Sequence, residues 1–133
     1  AFECIAIEAA VENFSAADER KLLQLIDDQD KTIDRGDMIS NIAIDSEFHS
    51  VIVELSGYKV IPDFLQRAMG EILRARHMSI KLPGRLRQPI IEHQAIVKAL
   101  RSGNPKDCAT AMKSHLDKSF VSIMQILESL NPE

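Results

Sequence analysis

Apolar residues recur along this chain at helical spacing, and no stretch alternates apolar and polar with the period of a half-buried strand. The pattern predicts six helices. The first runs from the start to about Phe14, with Phe2, Ile5 or Ala6, Ala9 or Ala10, and Val11 on one face. Ser15 suits an N-cap, its hydroxyl accepting a free backbone N–H, and Asp18 three residues on can return the bond. The second helix carries Leu22, Leu23, Leu25, Ile26 and Ile33 and stops at Arg35-Gly36, where glycine tolerates the left-handed C-terminal position. Asp37 caps a third helix that holds Met38, Ile42, Phe48, Ile52 and Leu55 and ends at Ser56-Gly57. A fourth spans roughly Lys59 to Lys81, because Pro62 is tolerated only in a first turn. Leu82-Pro83-Gly84 breaks the chain. The fifth holds Ile90, Ile91, Ile96, Val97 and Leu100, with Pro89 in its first turn and Ser102-Gly103 at its end. Asn104-Pro105-Lys106-Asp107 combines an N-cap, a proline at the first helical position and an acid two residues later, and starts a last helix that runs to about Leu130.

The connections are short, so successive helices should lie antiparallel. No repeat, linker or low-complexity tract divides residues 1–133, and the expected fold is one all-α antiparallel bundle of about six helices. Phe2, Phe14, Phe48, Phe64 and Phe120 are most simply core, as are Cys4 and Cys108.

Composition narrows the function. The 133 residues carry 16 Lys+Arg against 20 Asp+Glu, a net charge of −4, which argues against this segment gripping a phosphate backbone. No apolar run reaches the roughly 18 residues of a membrane span. Two cysteines make neither a disulfide framework nor a CxxC zinc pair, so a reducing cytoplasm is the expected setting. The chain opens without Met, already inside an amphipathic pattern, as a piece of something longer would. There is no nucleotide-binding glycine loop and no G-x-S-x-G. The run Asp27-Asp28-Gln29-Asp30 reads as a solvated face.

The informative residues are those that interrupt the apolar stripes. Helix three has the stripe Met38, Ile42, Asp45, His49, Ile52, in which Asp45 and His49 are i,i+4 neighbours. His93 sits mid-stripe on the fifth helix and His115 mid-stripe on the sixth. A carboxylate and three imidazoles aimed inward are a ligand set for a divalent transition metal, with Zn²⁺ or Ni²⁺ suiting three imidazoles best. Buried one by one they are costly, or are satisfied by ordinary hydrogen bonds. Arg76 falls on the inward stripe of the fourth helix and could hold a carboxylate beside such an ion, or reach past the boundary to solvent; His77 lies nearer the flank.

Asp45-x-x-Phe48-His49, then Glu92-His93-x-x-Ile96-x-x-Ala99-x-x-Ser-Gly, then Met112-x-x-His115-Leu116, together resemble the FCD domain, the C-terminal effector-binding domain of FadR-type regulators in the GntR superfamily. The resemblance covers nearly the whole chain. It implies an antiparallel helical bundle that holds a divalent metal through Asp45, His49, His93 and His115. It further implies a small carboxylate effector at that metal, an upstream winged helix-turn-helix domain that binds operator DNA, and a homodimer in the full-length protein. Two positions depart from the family pattern: an Arg frequent on the first helix is replaced by Cys4, and an Asn frequent after Ser-Gly by Tyr58.

Two other readings stay open on the residues alone. A metal with an open position could activate water as a hydrolase-like enzyme, although Glu92, the acid beside His93, lies about 100° around the helix from it. A metal-free helical interaction module is the other.

Overall fold

The computed structural model describes residues 2–59 and 85–130. Within them the chain forms five α-helices and no strand: α1 (Phe2–Ala10), α2 (Ala16–Arg35), α3 (Met38–Leu55), α4 (Gln88–Ser102) and α5 (Pro105–Leu130). The fourth helix expected from the sequence, with Arg76 and His77, and the expected break at Leu82-Pro83-Gly84 lie outside the described residues.

The caps sit where local chemistry puts them. Ser15 and Asp18 close a reciprocal capping box at the start of α2. Gly36 ends that helix in the left-handed conformation at φ 68°, and Asp37 then accepts from the Ser40 N–H at 3.1 Å to start α3. The first predicted helix tightens after Ala10 into a 3₁₀ turn over Val11–Asn13, a common way to finish a helix.

Surface ion pairs fix the direction of α4 against α2. Arg87 at the start of α4 meets Asp30 at 2.6 Å and Asp34 at 2.7 Å near the end of α2. Arg101 at the end of α4 meets Glu19 near the start of α2. The two helices are therefore antiparallel. Asn13 donates to the Leu55 carbonyl at 3.0 Å, which sets the end of the first segment beside the end of α3. Helix α1 packs on α3 and α5, α2 on α3 and α4, and α4 on α5, so the five close into a ring. Its core is built from Ile7, Leu22, Ile26, Phe48, Ile52, Ile96, Val97, Leu100 and Met112 among others.

Some expected core positions face outward. Ile5, Leu23, Ile91 and Phe120 are exposed, because each helix buries only the arc that meets its neighbours. On α1 that arc is Glu3, Ala6, Ile7 and Ala10. On α2 it includes Gln29 and Thr32, and the Thr32 hydroxyl accepts from Asn41 of α3 at 3.0 Å in a buried polar latch. The acidic run around Gln29 is thus only partly a solvated face.

Candidate metal centre

Asp45, His49, His93 and His115 are all buried, and one ligand atom from each lies within 4.8 Å of the others. Helical geometry brings them there. Asp45 and His49 are one turn apart on α3 and both point inward, while α4 and α5 turn His93 and His115 toward them from across the ring. His93 Nε2 is 3.1 Å from Asp45 Oδ1, His49 Nε2 is 3.5 Å from the same oxygen, and His115 Nε2 is 3.1 Å from His49 Nε2. Phe48 stacks on the His93 ring with centroids 4.2 Å apart and planes 16° from parallel, which limits its rotation.

The opposite edge of every ring is held. His49 Nδ1 donates to Glu3 Oε1 of α1 at 2.6 Å, His93 Nδ1 to Gln29 Oε1 of α2 at 3.0 Å, and His115 Nδ1 to Glu92 Oε1 of α4 at 2.7 Å. Carboxylates accept and do not donate, so the proton belongs on Nδ1 and the Nε2 lone pairs point at the centre. Glu92 is anchored in turn: Arg85 grips it with both guanidinium ends at 2.6 and 3.0 Å and reaches Ser119 at 2.9 Å. Glu3, Gln29 and Arg85 were not singled out by the sequence reading, and Glu92 was named there only as the acid beside His93. Glu92, the acid about 100° around the helix from His93, stands behind His115, on the ring edge away from the centre.

Burial disfavours charge on His49, but the Glu3 and Asp45 carboxylates outweigh it and raise that imidazole to about 9. Burial prevails for its neighbours: His93 falls to about 4 despite Asp45, and His115 is also lowered. His49 Nε2 lies 3.1 Å from His115 Nε2 and 3.5 Å from Asp45 Oδ1. His93 Nε2 is left buried with no hydrogen-bond partner among the described residues. It approaches Asp45 Oδ1 to 3.1 Å.

That orphaned lone pair is the test of fit. Metal–imidazole bonds of about 2.0–2.1 Å give neighbouring ligands about 3.3 Å apart around a tetrahedral ion and about 3.0 Å around an octahedral one. Three of the ligand–ligand separations, 3.1, 3.1 and 3.5 Å, are close to these values, and all four atoms lie within 4.8 Å of one another. Charge agrees as well: the carboxylates of Asp45, Glu3 and Glu92 are balanced by Arg85 together with one divalent cation. The residues fit such an ion. The thiols do not join them: Cys108 lies in the core with its pKa pushed up by burial to about 11, and Cys4 is raised for the same reason, so both stay protonated. Arg76, expected near this centre, lies outside the described residues.

Among known proteins, the family model described as FCD domain matches residues 1–118. No curated protein matches the chain. Of solved structures, McbR/YncC of E. coli superposes with a TM-score of 0.83 over 92% of this chain at 20% identity. The chain spans 62% of the length of that structure. At this identity the likeness speaks for the fold. No helix among the described residues is long and apolar enough to cross a membrane.

Proposed function

The chain belongs to the FCD domain family, and on that premise we propose that it is the sensing domain of a GntR-type transcriptional regulator. In this reading it holds a divalent transition metal, Zn²⁺ or Ni²⁺, through Asp45, His49, His93 and His115. A small organic acid then binds at the metal and alters operator binding by an upstream winged helix-turn-helix domain in a cytoplasmic homodimer. The observation that carries the reading is the convergence of four buried ligand atoms whose imidazoles are each oriented by a hydrogen bond on the far nitrogen. Such outer hydrogen bonds fix ring orientation and raise ligand basicity at metal sites.

When bound, the ion would supply a fixed positive centre for one carboxylate oxygen of the acid. The protein's own groups do the rest. Glu3, Gln29 and Glu92 set the tautomers, and Phe48 keeps His93 in plane with it. Arg76 is the proposed partner for the acid's second oxygen. A sensing role is favoured over hydrolysis because Glu92, the acid that a general-base role would need, is committed to Arg85 and His115.

Metal analysis and thermal melting test this. About one ion per chain should co-purify or load, and Zn²⁺ or Ni²⁺ should raise the melting temperature by mass action. His93→Ala or His115→Ala should abolish the rise while the chain stays helical. Metal far below one per chain with no shift would favour a metal-free interaction module. In the full-length protein, identical affinity for the acid with and without operator DNA would remove the coupling.

A further inference from the structure

We infer that Glu3 is a positioning residue through which an ion at the centre holds the first helix onto the bundle. The inference rests on the metal reading above and adds a regulated element to it. Helix α1 is short, nine residues from Phe2 to Ala10, below the roughly 12–15 at which an isolated helix becomes even marginal. Its buried apolar contribution is small: Ala6, Ile7 and Ala10. Yet it covers two of the ligand-bearing helices, α3 and α5.

At the first turn of this helix the sequence places a carboxylate where an apolar residue would have done more for docking. Glu3 is buried, and its Oε1 lies 2.6 Å from Nδ1 of His49, a residue 46 positions away on α3. His49 is the ring with both edges engaged by charge: Glu3 on Nδ1, Asp45 and His115 on Nε2. An ion bonded to Nε2 fixes the plane of the imidazole, and a fixed plane leaves one place for the Glu3 carboxylate. The far end of the same segment is already tied by Asn13 to the Leu55 carbonyl. Filling the centre would therefore clamp the amino end of α1, and any segment joined to that end would be connected to the ion through the hydrogen bond between Glu3 and His49.

The test uses Zn²⁺ and the chain as it stands, with Glu3→Gln and Glu3→Ala. Zn²⁺ affinity is measured by chelator competition, helicity by circular dichroism, and backbone protection by hydrogen exchange with and without saturating Zn²⁺. Glu3→Ala should lose ten- to a hundred-fold in affinity, the range found for residues that orient metal ligands. Glu3→Gln keeps an acceptor for Nδ1–H but not the charge, and should lose roughly three- to tenfold. In the wild type, Zn²⁺ should slow exchange in α1 as well as in α4 and α5. In Glu3→Ala it should slow α4 and α5 only. Either variant binding Zn²⁺ as the wild type does, or α1 gaining the same protection in Glu3→Ala, overturns the inference while leaving the metal centre intact. Absence of Zn²⁺ binding by the wild type overturns both. If Glu3→Ala does not fold, the affinity of Glu3→Gln decides alone.

Discussion

Arg85 shows how much of the site depends on one side chain that binds no ligand. Its guanidinium is buried, grips Glu92 bidentately and holds Ser119, while the same carboxylate accepts from His115. Burial acts to raise the Glu92 pKa, but the bonds from His115 and Arg85 outweigh it and the net shift is downward. Removing one member of a buried pair leaves a charge without its counter-ion, at about 3 kcal/mol or more. Arg85→Ala should therefore lower unfolding free energy by about that amount in urea titrations, and Arg85→Lys by less, since lysine keeps the charge but not the fork. A loss below about 1 kcal/mol for Arg85→Ala would mean that His115 alone sustains Glu92. The four candidate ligands were legible in the sequence because each interrupts an apolar stripe on its own helix. Arg85, Gln29, Glu3 and the bond of Glu92 to His115 were not, because they depend on which helix packs against them. Gln29 sits inside an acidic run and Glu3 beside the apolar face first read for α1. Only the closed ring reveals that each acceptor faces one Nδ1.

At the scale of single helices the caps are the most legible part of the chain, since capping chemistry is local and needs no tertiary partner. The Ser15–Asp18 box is the clearest case: Ser15 Oγ accepts from the Asp18 N–H at 3.2 Å, and Asp18 accepts from the Ser15 N–H at 2.9 Å. Ser15→Ala should destabilise by about 1 kcal/mol, read as a lower urea midpoint with unchanged slope. The box also has a pH signature. The backbone bond from Ser15, then its hydroxyl, lowers the Asp18 pKa from the ordinary carboxylate value. A carboxylate that is more acidic when folded stabilises above its unfolded pKa and loses that contribution as pH falls through the folded one. Asp18→Asn should thus flatten the acid limb of the stability curve below about pH 4 and leave the limb above pH 6 unchanged in shape. Gly103, which ends α4 at φ 76°, has open space where a Cβ would go. Gly103→Ala should cost about 1 kcal/mol by backbone strain alone, with no clash to relieve. What local chemistry could not supply is the inward arc of each helix. Ile5 and Leu23 lie on faces that look apolar in isolation, yet the neighbours in the ring cover Ile7, Leu22 and Ile26 instead.

Every described helix contributes to the centre: Glu3 from α1, Gln29 from α2, Asp45 and His49 from α3, Glu92 and His93 from α4, and His115 from α5. A bundle assembled this way cannot shed one helix without disturbing a ligand or the group that orients it. The site is thus a property of the closed ring, and metal loss and global unfolding should be one event. In urea, Zn²⁺ release followed with a chromogenic chelator and loss of helicity followed by circular dichroism should share a midpoint. Free Zn²⁺ at a hundred times its dissociation constant should add about 2.7 kcal/mol. With a slope of about 1–3 kcal/mol per molar urea, both midpoints should then rise together by about 1–3 M. Release of Zn²⁺ at clearly lower urea than the loss of helix would show that the ligands part while the ring still stands. The hydrogen bonds from Glu3, Gln29 and Glu92 would then orient the imidazoles without making the ion part of what keeps the bundle closed.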